Sequence, residues 1–113
     1  MAAGDGPALL RCAVAHALAD VQDDDADEQA WDERALDEAG AAAHEPVPEG
    51  MPPIADLLPS LHLNLADVNR RRGDRASARH HLDRGREALA SLAADAGQPH
   101  IADALDRVEA ALS

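Results

Sequence analysis

Between Pro59 and Gly97 apolar residues recur at Leu61, Leu65 and Val68, pause at Gly73-Asp74, and resume at Ala78, Leu82, Gly85, Leu89, Leu92 and Ala96. Steps of four and three trace one face of a helix, so the pattern predicts two helices folded back on each other about a tight turn. Upstream, Gly6-Pro7 opens a helix with proline where its missing N–H does no harm, and Asp5 stands by as an acidic cap. Leu10, Val14, Ala17 or Leu18, and Val21 then predict its core face. Asp23-Asp24-Asp25 ends this helix and supplies an N-cap for a second, running to about Ala43 with Trp31, Ala35, Ala39 and Ala42 on one stripe. A first hairpin is therefore expected over 8–43.

The segment from His44 to Pro53 holds four prolines in ten residues, which remove donors and fix φ. It reads as a connector, extended to 44–58 because Ile54 to Leu58 offers one short turn before Pro59 restarts helix at its first position. The third helix ends at Gly73, and Asp74 caps a long fourth helix that finds its C-cap in Gly97. Gln98-Pro99 starts a fifth over 98–113, where Ile101, Leu105, Val108 and Leu112 again step four, three, four. The expectation is a single domain, 1–113, of about five helices.

Composition sharpens this to all-α with a thin core. There are 27 Ala against 14 Leu, no Phe or Tyr, and Trp31 as the one aromatic. A buried Leu contributes roughly 1.5–3 kcal/mol and an Ala much less, so close helix packing must replace bulk. A core this thin predicts completion by self-association, as a homodimer, or by a bound partner. All ten basic residues are Arg, which excludes Schiff-base and phosphate-loop lysines. Cys12 is alone, no leader-like or membrane-spanning run appears, and a cytoplasmic location is expected.

The net charge of -12 is unevenly placed. Residues 1–49 carry thirteen acids and two Arg, whereas residues 70–86 carry seven Arg and two Asp. So acidic a chain repels nucleic acid, and none is expected as a partner. The Arg block suits an acidic peptide, a phosphate, or neutralisation by acids within the chain or a dimer, the last being favoured.

At His62-x-x-Leu65-Ala66-x-x-Asn69, then Gly73-Asp74, Ala78-x-x-x-Leu82 and Gly85, the chain resembles a tetratricopeptide repeat. Small residues at 66, 78 and 85 stand where such helices approach closely, while His62 and Asn69 replace family aromatics and Ala90 replaces the closing proline. Ala8 to Ala41 resembles a weaker copy, with Val14-Ala15, Leu18 and Trp31 in the matching places. The resemblance implies antiparallel hairpins of α-solenoid type, the last helix acting as a cap.

It also implies a groove lined by the first helix of each hairpin. On the third helix the stripe away from the core is Ser60, Asn64, Asp67 and Arg71; on the first it is Leu9, Ala13, His16 and Asp20. Ser60, Asn64, Asp67, Arg71, His16 and Asp20 are the candidate partner-binding residues. Asn64 offers both donor and acceptor to an extended peptide. The alternative is that Asn64 bonds within its hairpin and Asp67 and Arg71 form an ordinary surface pair worth about 0.2–0.5 kcal/mol. The basic carboxylate clamp of some family members is not matched here.

Candidate chemistry is sparse. His80 and His81 are adjacent, pointing about 100° apart on a helix, and His44-Glu45-Pro46 is no zinc motif. Asp23, Asp25 and Asp27 have calcium-loop spacing, but Glu28 replaces the required Gly and Arg34 the bidentate Glu. Cys12 lies on an apolar helix as a small hydrophobe. No catalytic residue, metal or cofactor is therefore expected. The reading is a non-enzymatic module binding a peptide or helix in a groove of the first, third and fifth helices; the alternatives are an oligomerising part of a larger repeat protein and, third, a metal-binding helical protein.

Overall fold

Two helices rich in alanine pack closely only if their small residues face each other, and this decides the first half of the chain. A computed structural model describes residues 6–92 and 97–113, among which there are five α-helices and no strand. Asp5 and Ala96, given roles above, lie outside the described residues. The chain divides into two compact units, Met1–Ile54 and Ala55–Ser113.

In the first unit, α1 (Ala8–Asp20) packs on α2 (Asp25–Ala42). The buried face of α1 is Ala8, Leu9, Cys12, Ala15 and Ala19, and that of α2 is Asp32, Ala35, Ala39 and Ala42. The expected α1 face is thus corrected: Leu10, Val14 and Val21 are 46%, 49% and 71% exposed. Alanines on both helices allow close approach, so Leu9 is the one large aliphatic side chain of α1 on the buried face and Leu10 and Val14 turn outward. Asp24 caps α2, its Oδ1 accepting from the Ala26 and Asp27 amides at 2.7 and 3.3 Å. Pro7 precedes α1 without any side-chain cap. Glu45 instead reaches back from beyond α2, its Oε1 accepting the Ala8 amide at 3.1 Å, where a carboxylate suits the positive helix end.

The second unit holds α3 (Ile54–Arg71), α4 (Arg75–Ala90) and α5 (Pro99–Leu112). Helix α3 starts five residues before Pro59, which lies buried inside it, so the connector shortens to residues 44–53. Pro59 withdraws the amide that Ala55 O would receive, and Ala55 is exposed. The Gly73-Asp74 turn is as expected. Gly73 takes φ +85°, the Asp74 amide donates to Asn69 O at 2.9 Å and the Gly73 amide to Arg70 O at 3.1 Å, a paired closure that satisfies the last carbonyls of α3. Asp74 then caps α4 by accepting the Ser77 amide at 3.0 Å. Helix α4 ends at Ala90, not Gly97: the Ser91 hydroxyl donates to Glu87 O at 3.0 Å, occupying a carbonyl at the helix end.

The core of this unit joins Ala66, Ala78, Leu82, Ile101, Leu105, Val108 and Leu112, with Leu63 and Leu89 against it. All four predicted α5 positions are buried, as are Leu61, Leu65 and Val68 of α3. Gly85 is where α4 meets its neighbours, since a Cβ there would lie 3.1 Å from Leu105 Cδ2 and 3.4 Å from His62 Cβ. Buried Asn69 turns its Nδ2 to Leu65 O at 2.8 Å.

Candidate functional site

Leu63, Asn64, Asp67 and Arg70 follow one another along one side of α3, and Ala104, Arg107, Val108 and Ala111 along α5. Between the two rows lies an open hollow of about 310 Å3. Leu63 and Val108 carry the hollow into the apolar core, because both also pack in the cluster beneath it. Small Ala104 and Ala111 leave room above Val108. The cleft therefore has an apolar floor and a polar rim, the make-up of a site that takes a side chain and orients it.

The rim is electrostatically asymmetric. Asp67 accepts from Arg70 at 2.8 Å and from Arg71 at 3.1 Å, so one carboxylate is shared by two cations. On α5, the exposed Arg107 side chain has no ion pair or hydrogen bond among the described residues. Elsewhere the arginines are engaged within the unit. Arg79 meets Glu109 at 3.4 Å, Arg86 meets Asp106 at 3.0 Å and Glu109 at 3.1 Å, Arg84 meets Glu87 at 2.9 Å, and Arg75 donates to Leu112 O. Within the unit the Arg block is thus neutralised by Asp67 on α3, Glu87 on α4, and Asp106 and Glu109 on α5. Such exposed pairs are each worth about 0–1 kcal/mol.

Of the six predicted residues, Asn64 and Asp67 line the cleft. Ser60 is half-buried one turn before Asn64, and Arg71 is exposed and tied to Asp67. In the other unit, His16 Nδ1 lies 3.3 Å from Oδ1 of the fully buried Asp32, and Asp20 is exposed at the end of α1. Sequence reasoning placed Arg70 in the basic block rather than on the groove stripe, and gave the fifth helix to the groove without naming a residue on it. The signal was available, because Ala104, Arg107 and Ala111 sit one place from the Leu105, Val108 and Leu112 stripe.

The first unit has its own hollow of about 180 Å3, lined by Leu10, Val14 and Leu18 of α1 and by Trp31 and Arg34 of α2. Trp31, expected on the buried stripe, is half-buried there with the Arg34 guanidinium 5.6 Å from its ring centre, and Asp32 takes the buried position. Arg11 also lines it and is engaged by Glu38 and Gly6 O. Cys12 is buried, and burial, with the Glu38 charge adding, pushes its thiol up to about 11, far from a nucleophile. Among the described residues no group of three or more His, Cys, Asp or Glu is placed to hold a metal ion, and no helix is long and apolar enough to cross a membrane.

Comparison of the chain with protein-family models, with curated proteins and with solved structures gives no match.

Proposed function

We propose that this is a non-enzymatic protein-interaction module that takes a peptide or helix of a partner in the cleft between α3 and α5. The observation that carries this reading is the meeting, across one hollow, of Asn64 and Asp67 with Arg107 above an apolar floor. Asn64 is suited to the partner's backbone because an amide both donates and accepts. Leu63 and Val108 suit an apolar side chain, and Arg107 a carboxylate or carbonyl beside it. A tetratricopeptide-like arrangement agrees with α4 ending at Ala90, where that repeat closes its second helix, and with the close approach at Gly85. Affinity capture from native lysate tests the reading. A partner other than the protein itself is expected, and recovery of the protein alone contradicts it.

Self-association is a second reading, favoured by the exposed Leu10 and Val14 beside Trp31. Any joining of two such faces brings together segments rich in acid, so added salt strengthens it. Light scattering at low and high salt checks this, and a monomer under both conditions contradicts it.

A further inference from the structure

His62 on α3 and His81 on α4 bring their Nδ1 atoms to 3.1 Å of each other. Their rings stand at 27° with centres 5.3 Å apart, and both residues are half-buried. Helix packing fixes the spacing, since Gly85, one turn beyond His81, lets α4 approach the Cβ of His62. Zinc-to-imidazole bonds of 2.0–2.1 Å place neighbouring nitrogens of one ion about 2.9–3.4 Å apart, so 3.1 Å is the edge of such a coordination shell.

We propose that His62 and His81 form a two-histidine site for a divalent first-row transition ion of the zinc, nickel or copper class, bridging α3 and α4. Imidazole is the donor these ions favour, and water fills the remaining positions. Without metal, one ring donates its Nδ1–H to the other. On binding, that ring turns toward the ion and carries its proton on Nε2 instead, both Nδ1 lone pairs go to the metal, and no net proton is released. The nearby Arg84 charge is offset by Glu87, its partner at 2.9 Å. His80 meets His81 edge-on at 5.1 Å and is a neighbour rather than a donor.

The test is titration of the chelator-stripped full chain with zinc chloride, and in parallel with nickel chloride, by calorimetry and thermal unfolding. Saturable binding of one ion and a rise in melting temperature are expected, because the folded hairpin alone presents both rings. His62→Gln and His81→Gln should each weaken binding by more than about tenfold, since the second bond of a chelate is intramolecular. His80→Gln, His44→Gln and His100→Gln should leave it unchanged. Should His62→Gln fail to fold by circular dichroism, His81→Gln and the imidazole proton shifts of the wild-type chain decide. Absence of saturable binding, equal binding by His81→Gln, or unmoved His62 and His81 signals overturns the proposal.

Discussion

Adding one methyl group at Gly85 sets two effects of known size against each other. Alanine favours helix over glycine by about 1 kcal/mol, while overpacking a closed core costs about 1–3 kcal/mol. Leu105 is fully buried and cannot swing aside, so Gly85→Ala is predicted to destabilise by about 1 kcal/mol. Gly40 has nothing within 4 Å of its added Cβ, and Gly40→Ala should stabilise by about 0.5–1 kcal/mol. Urea midpoints with unchanged slope check both. His62 supplies the pH dependence. Its pKa lies at about 4 when folded and 6.5 when free, so the unfolded chain binds the proton first. Stability therefore falls as pH drops from about 6.5 to about 4 and levels off below; solvent screening at the half-buried ring holds the loss to about 1–2 kcal/mol. Urea titrations in chelator at several pH values measure it, and a flat profile for His62→Gln over that window identifies the source.

Helix ends and helix faces respond to different substitutions. Asp24→Ala removes the acceptor for two amides at the start of α2 and should cost about 1 kcal/mol. Leu82→Ala empties a site enclosed by α3 and α5 residues, with an expected loss of about 2–5 kcal/mol, whereas Leu10→Ala on the exposed side of α1 should stay within about 0.5 kcal/mol. Thermal unfolding of the three variants ranks them. The contrast between Leu82 and Leu10 also shows what periodicity can convey. In α3, α4 and α5 the large residues are the buried ones, so their spacing reveals the core. In α1 the contact is made by Ala8, Ala15 and Ala19, and Leu10 and Val14 look like a core face because they are bulkier. Pro59 misleads because an early proline fits a helix start as well as a helix interior whose freed carbonyl lies on an exposed residue. The end of α4 is unmarked by Gly or Pro, and Leu92 continues the rhythm; the end shows in the backbone, where the Leu92 amide donates to Leu89 O three residues back.

Over the whole chain, charge and apolar surface are divided between the units. Residues 1–54 contain thirteen acids and two Arg, while residues 55–113 are nearly balanced, with nine acids and eight Arg. Neutralisation of the Arg block within the chain or a dimer is the favoured sequence reading, and Asp67 and Glu87 supply it locally for Arg70, Arg71 and Arg84; the α5 acids that meet Arg79 and Arg86 lie some twenty to thirty residues away, a distance no local pattern spans. Two of the eight cleft residues were legible for the complementary reason. Asn64 and Asp67 fall on the stripe opposite the α3 core positions, but pairing them with Arg107 requires knowing which face α5 presents. The most direct measurement is capture from native lysate run in parallel with the wild-type chain and an Asn64→Ala/Arg107→Glu variant. Both substitutions lie on the partly open rim, so folding should persist by circular dichroism. A partner recovered by the wild type and reduced at least tenfold with the variant is the predicted result; a partner held equally by both, or none from either, contradicts the cleft as the binding site.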